Sequence, residues 1–333
     1  MPRSPIARST ALTIAVLMAA WVLSGCAGST AREGVLELAA EPVSPSRKAK
    51  LDAFLEDAGS QSLLILRDGE IIYSYGDIHR RLALHSIRKA ILSSLIGIAV
   101  DAGTLDVEAS LAELDIDDIP PGLTDEEKQA TVLDLLQSRS GIYHDAAATS
   151  AGMLIDRPER GSHRPGEHFY YNNWDFNALG GLLEQASGTR LYTLFHDRIA
   201  EPLGMVDWQG EVTAIEAAED RIPDVDGFYQ FEPELSRYPA YHFRLSAHDL
   251  ALYGQLMLQE GVWNGRQLVP AEWIARSVEP VSEYNAAANQ YYGMLWVVRV
   301  GEDGAMSSFH HTGVDSRVAD SATVRRDLRR LER

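Results

Sequence analysis

The sequence predicts an α+β fold, an antiparallel sheet with flanking helices and an inserted helical region. Three observations predict it. Two β-rich runs, 61–66 and 70–75, are joined at Asp68-Gly69; helical signals dominate from about 104 to 275; strand-like runs return at 291–300 and 307–312. Strands at both ends of a helical middle suggest a sheet domain that carries an inserted helical region.

Taken in order, the chain opens on Arg3 and Arg8, followed by an uncharged, mostly apolar run from Ala11 to Leu23. A helix that spans a bilayer needs about 20 residues, so this shorter run suits the hydrophobic part of a signal peptide. Residues 1–25 are therefore expected to be a leader, residues 26–46, rich in Ala, Glu, Ser and Pro, a tether, and residues 47–333 the globular domain. Ser46 to Ala58 reads as a capped amphipathic helix through Leu51, Phe54 and Leu55. Asp68-Gly69 between two β-rich runs is a strong hairpin signal. Ser86 to Val100 is apolar nearly all round and predicts a buried central helix that ends near Gly103. Shorter helices are predicted at Thr131–Gln137, Asp175–Gln185 and Ala247–Gln259, with Pro- and Gly-rich loops such as 157–166 and 224–239 between them.

With 45% apolar and 23% charged residues, 333 residues can bury a sizeable core. A net charge of -18 argues against nucleic acid as a partner, since a binder must neutralise phosphates. Cys26 is the single cysteine, so neither an internal disulfide nor a thiol-rich metal site is available. His163 and His168 flank a proline-containing stretch without an H-E-x-x-H pattern, which gives no basis for a metal site there. No G-x-S-x-G elbow or phosphate-binding glycine loop is present.

Chemistry is concentrated in three short stretches. Ser86-Ile87-Arg88-Lys89 opens the apolar helix, and residues three apart share a helix face, so the Lys89 amine can reach the Ser86 hydroxyl. A serine becomes a useful nucleophile when a neighbouring base takes its proton. The second stretch is Tyr170-Tyr171-Asn172-Asn173 and the third is His311-Thr312-Gly313. In this order they resemble the serine β-lactamase and penicillin-binding protein family, with its S-x-x-K, Y-x-N and K-T-G or H-x-G motifs. The branch most similar is that of class C β-lactamase-related esterases, D-amino-acid peptidases and 6-aminohexanoate-dimer hydrolases. Leu135-Leu136…Ser140-Gly141, Pro202-Leu203-Gly204-Met205, Ser246-Ala247-His248-Asp249-Leu250 and Gly261-Val262-Trp263 are also similar to segments of that family.

The resemblance implies a β-lactamase/transpeptidase-like sheet and an acyl-enzyme on Ser86. Counting back nine residues from Leu179-Gly180 assigns the tyrosine to Tyr171 and its asparagine to Asn173, with Tyr170 as a packing aromatic. The family mechanism implies that Tyr171, held toward its phenolate by Lys89, takes the Ser86 proton. It implies oxyanion donors at the Ser86 and Val314 N–H groups, and an Asn173 that orients Lys89 or the substrate amide. No metal or organic cofactor is required. His311 stands where β-lactamases usually carry lysine, and a mostly neutral histidine favours ester or amide substrates over β-lactams. The substrate class implied is a small-molecule or peptide-like ester or amide. A catalytically impaired relative acting as a penicillin-type ligand-binding or sensor protein is the alternative.

Leu23-Ser24-Gly25-Cys26 resembles a bacterial lipobox, which implies a lipid on Cys26 and anchoring to the cell envelope, on the periplasmic side in a Gram-negative cell. In the family, two more strands and a closing helix follow the H-T-G strand, whereas 20 residues follow Gly313 here. The C-terminal strands and helix are therefore expected to be missing. The H-T-G strand is then expected at the sheet edge, and Val318 to Arg333 as a basic amphipathic helix through Val324, Leu328 and Leu331.

Overall fold

The computed structural model describes residues 36–216 and 223–313, together with the backbone of a short strand at 317–319. Cys26, Val314 and the stretch carrying Val324, Leu328 and Leu331 lie outside the described residues. Helix α1 (Pro45–Asp57) leads into the antiparallel hairpin of β1 (Ser62–Arg67) and β2 (Glu70–Gly76), turning at Asp68-Gly69 as the sequence predicts. Asp68 and Gly69 both have positive φ, the backbone that a tight primed turn demands. Part of the expected tether is docked: Leu38 bridges Ile71, and the amides of Ala39 and Val43 donate to the Ile71 and Ile72 carbonyls.

Strand β3 (Leu82–Ala83) and one 3₁₀ turn (His85–Ile87) deliver the chain into α2 (Arg88–Asp101). The central helix thus begins two residues after Ser86, which sits on the turn. Nearly every face of α2 is buried, as its all-round apolarity requires. Ile87, Ile91, Leu92 and Ile96 are fully buried, each contributing about 1.5–3 kcal/mol of transfer free energy. Gly97 lets the helix touch Trp273, because a Cβ there would lie 2.3 Å from the indole ring.

The inserted region carries α3 (Val132–Leu136), α4 (Ala151–Asp156), α5 (Asn173–Ser187), α6 (Leu191–Phe195) and α7 (Glu201–Leu203). It is less purely helical than its sequence suggests. Strands β4 (Val212–Glu216), β5 (Gly227–Phe231) and β6 (Ala240–Leu245) join β3 in a four-stranded sheet of order β3-β6-β5-β4, with β4 and β5 parallel. Strand β5 runs through the stretch read as a Pro- and Gly-rich loop. Four of its five residues are buried, so it carries no polar–apolar alternation to reveal a strand.

Helix α8 (Ala247–Leu258), the small ribbon of β7 (Val262–Trp263) and β8 (Arg266–Gln267), and α9 (Ala271–Ser277) lead to the second sheet. It comprises β9 (Ser282–Asn285), β10 (Gln290–Tyr292), β11 (Val297–Val300), β12 (Met306–Thr312) and β13 (Arg317–Ala319), antiparallel in the order β13-β12-β11-β10-β9. The single strand expected over 291–300 is a hairpin. Leu295, at φ +65°, turns the chain, and Gly293 packs where a Cβ would meet the Ser277 carbonyl oxygen at 2.4 Å. The expectation that the H-T-G strand forms the sheet edge is also corrected, because β13 pairs with His310, His311 and Thr312. Val318, assigned to an amphipathic helix, lies in that strand. Among the described residues no helix is long and apolar enough to cross a membrane.

Candidate active site

The Ser86 turn is anchored from both sides. Strand β3 pairs with β6, and the Leu84 amide extends the ladder by donating to the Phe243 carbonyl at 2.9 Å. His85 then takes a left-handed backbone, φ +47°, a conformation that costs a non-glycine residue about 1–3 kcal/mol and concentrates at functional turns. This reversal presents Ser86 ahead of α2, with Lys89 one turn on. The Lys89 Nζ lies 2.9 Å from the Ser86 Oγ.

Lys89 is 1% exposed, and its ammonium position faces the rings of Phe176 and Tyr171, at 4.6 and 4.9 Å from their centroids. Ring faces favour a cation by only about 0.5–2 kcal/mol, whereas removal from water penalises it heavily. Burial therefore drives the Lys89 amine well below the usual lysine range, and the neighbouring Arg88 guanidinium pushes the same way. Tyr171 is shifted oppositely. Burial raises its hydroxyl above the ordinary tyrosine value, although its hydrogen bond with Ser86 partly counteracts this. Both groups are thus pushed toward their neutral forms. These directions run against the expectation that Lys89 favours the Tyr171 phenolate.

The start of α5 separates the two tyrosines. Asn172 caps the helix, accepting the Trp174 amide at 2.7 Å, while its own amide nitrogen donates to the Ile142 carbonyl. Tyr171 precedes this cap and faces Ser86. The Tyr170 hydroxyl donates instead to the Met153 carbonyl at 2.6 Å, and its ring packs edge-on against Tyr143. The Asn173 Nδ2 donates to the Ala148 carbonyl, so its amide nitrogen holds a loop rather than Lys89; its Oδ1 is buried without a partner. Below the cap, Asp175 is fully buried and accepts the Ser140 hydroxyl at 2.6 Å, which ties the S-G stretch at 140–141 to α5.

The end of β12 closes in from the other side. A Cβ on Gly313 would meet the Leu84 carbonyl oxygen at 2.4 Å and the His85 Cβ at 3.0 Å, so only glycine allows the strand this close to the Ser86 turn. His311 is buried, and its Nδ1 donates to the Thr312 carbonyl at 3.0 Å. Burial, reinforced by Lys89, lowers its ring to about 3, which keeps it neutral.

A cavity of about 770 Å³ opens at the turn. Ser86, Lys89, Tyr171 and Asn173 line it; His311, Thr312 and Gly313 are not among its lining residues. The sequence reading did not single out several of its walls: Met153 and Asp156 from α4, His242 from β6, Tyr284 from β9, and Arg88. The Arg88 guanidinium stacks 4.2 Å over the Tyr241 ring, and one of its nitrogens is buried without a partner. The pair His163 and His168 proves to be a ring stack at 4.1 Å, with the His163 Nδ1 bonded to the Tyr143 hydroxyl.

Comparison with known proteins places this geometry in context. A D-aminopeptidase of Brucella anthropi is 27% identical over 165 residues, which is 43% of this chain; the match spans 31% of that relative, under a third of its length. A penicillin-binding protein of Bacillus halodurans superposes with a TM-score of 0.58 at 18% identity, covering 79% of this chain and 87% of the other. A putative 6-aminohexanoate-dimer hydrolase of Bacillus anthracis gives 0.60 at 17% identity, covering 86% and 80%. At such identities the structural likeness speaks for the fold. Residues 48–327 match the Beta-lactamase family, and with the match spanning most of its length, this chain belongs to that family.

Proposed function

We propose that this protein is a serine hydrolase of ester or amide bonds that works through an acyl-enzyme on Ser86. The observation that carries the reading is an uncharged-leaning lysine amine 2.9 Å from a serine hydroxyl at the mouth of a cavity. A neutral amine can accept the serine proton as the Oγ attacks a carbonyl carbon. The Tyr171 hydroxyl, bonded to Ser86, can then pass a proton to the leaving amine or alcohol. A water attacking the acyl-enzyme, its proton taken by the same pair, releases the acid and restores Ser86. In this reading Lys89 is the first acceptor and Tyr171 the relay. The Ser86 N–H and, by resemblance, the Val314 N–H are proposed to hold the oxyanion.

Amide substrates fit the Asn173 side chain. Its Oδ1 is buried, unpaired and part of a cavity-lining residue, and leaving such an acceptor unsatisfied costs about 1–3 kcal/mol. A substrate N–H would satisfy it, as a peptide-like amide can and an ester cannot. The similarity to a D-aminopeptidase points the same way.

Intact-protein mass spectrometry after treatment with a fluorophosphonate or a penicillin tests the proposal. One covalent adduct is expected on the wild type and none on Ser86→Ala. Adduct on both proteins, or on neither, refutes the assignment. A persistent penicillin adduct on a protein that turns over neither esters nor amides would mark a ligand-binding relative instead.

We further propose that the chain is exported and lipidated at Cys26, supported by the lipobox-like Leu23-Ser24-Gly25-Cys26 behind a short apolar run. Labelled palmitate should enter the wild type and not Cys26→Ser, and the variant should leave the membrane fraction. Equal labelling of the two would remove the claim.

A further inference from the structure

Away from the cavity, two loops and the first turn of α8, distant in sequence, bring His79, Asp207 and His248 together. One nitrogen of each ring and a carboxylate oxygen of Asp207 lie within 4.8 Å of one another. We infer that these residues form a binding site for one divalent cation of the zinc class, held by two imidazoles and one carboxylate. None of the three lines the Ser86 cavity.

The donor set and its separations suit such an ion. Zinc takes His nitrogen and Asp oxygen at about 2.0–2.2 Å in a tetrahedral shell, with water able to fill the position that protein leaves open. Ligand atoms around it must then sit about 3 Å apart, and the His79 Nδ1 is 2.9 Å from an Asp207 carboxylate oxygen. The cation would replace the proton that now bridges this pair. His79 and His248 stack with centroids 5.0 Å apart and planes 30° from parallel. The His79 side chain is half exposed, so it can rotate to close the triangle without disturbing the core.

Asp249 gives the cluster the support that metal sites require. A carboxylate only accepts, so the His248 Nδ1, 3.1 Å from the Asp249 Oδ1, carries the proton and leaves Nε2 to donate its lone pair. Carboxylate–histidine pairs of this kind fix the ring and its tautomer for a metal. Asp249 is fully buried and also accepts the amides of Val206, Asp207 and Trp208 at 2.9–3.0 Å, which positions the loop carrying Asp207. The His248 amide donates to the Ile78 carbonyl at 3.0 Å, which positions the loop carrying His79. The two carboxylates also balance a divalent charge placed beside the N-terminus of α8, where the helix dipole alone would oppose it. The ion would tie the segment leading into β3, and so into the Ser86 turn, to α8 and the loop after α7.

Zinc titration of the full chain against a chromophoric chelator tests the inference, with melting curves recorded in parallel. The wild type should bind one equivalent of Zn²⁺ and melt higher with it. His79→Ala and Asp207→Ala, both on partly exposed side chains, should weaken binding by at least ~10-fold and lose the zinc-dependent shift. His196→Ala, in the exposed cluster of His196, Asp197 and Glu201, should change neither. Absence of saturable one-to-one binding overturns the inference, as does unchanged affinity in His79→Ala or loss of binding in His196→Ala. Because zinc affinity is read apart from hydrolysis, the result stands independently of the assignment of Ser86.

Discussion

Lys89→Met is expected to lose at least ~10³-fold in kcat/KM and at the same time to melt at a higher temperature near neutral pH. The amine is buried against two aromatic rings and has no carboxylate partner among the described residues, so it costs stability whenever the unfolded chain would be protonated. The linkage has a definite sign. The folded amine titrates well below 10.5 and the unfolded one near it, so between those values the unfolded state binds the extra proton. Stability therefore rises with pH across that window, and the cost is full at and below its lower end. Methionine has a similar length and no charge to desolvate. The gap in melting temperature between Met variant and wild type should accordingly narrow as pH climbs from 7 toward 10. Ser86→Ala should match the loss of turnover while melting close to the wild type, since it removes one hydroxyl from a half-buried turn. A Met variant that melts lower than wild type at every pH would show that Lys89 is held charged and stabilising.

The same contrast between local and distant signals explains what the sequence made legible. The β1–β2 hairpin, α2 and the helices α3, α5 and α8 were readable because each is specified by neighbours. Asp68-Gly69 sets a turn; Thr131 and Asp134 complete a reciprocal capping box; Ser246 accepts the Asp249 amide; Gly188 ends α5 in the left-handed conformation. The inserted sheet was not readable. Strand β5 is buried along most of its length, and β4 pairs with it in parallel, so neither gives the alternation that marks an exposed-faced antiparallel strand. At the site, Ser86 and Lys89 were legible because three residues on one turn fix their meeting. His242, Tyr284 and Met153 were not, since each reaches the cavity through tertiary packing. The direction in which burial pushes the two groups was hidden for the same reason. Burial, and not spacing, decides that Lys89 and Tyr171 both lean to their neutral forms. The His79, Asp207 and His248 cluster escaped any motif search because its members lie on two separate loops and the first turn of α8.

The doubled tyrosine offers the sharpest test of the proposed proton path. Tyr171→Phe should lower kcat by at least the ~10²-fold typical of losing a general acid–base group. Its hydroxyl meets Ser86, which Lys89 also contacts, so it stands where a proton could pass between Lys89 and a leaving group. Tyr170→Phe removes a hydroxyl bonded to the Met153 carbonyl, worth about 1 kcal/mol of stability. Because Met153 lies on α4 at the cavity wall, the expected trace of that loss is a raised KM with kcat near wild type. Steady-state kinetics of both variants on one p-nitrophenyl ester and one D-amino-acid amide separate the two roles. If the pattern is reversed, with kcat collapsing in Tyr170→Phe and surviving in Tyr171→Phe, the relay runs through the other tyrosine and the Ser86–Lys89–Tyr171 path is wrong. If neither variant loses kcat, Lys89 serves both the attacking serine and the leaving group. The pH profile of kcat in Tyr171→Phe should then match that of the wild type, because one amine would carry both proton transfers.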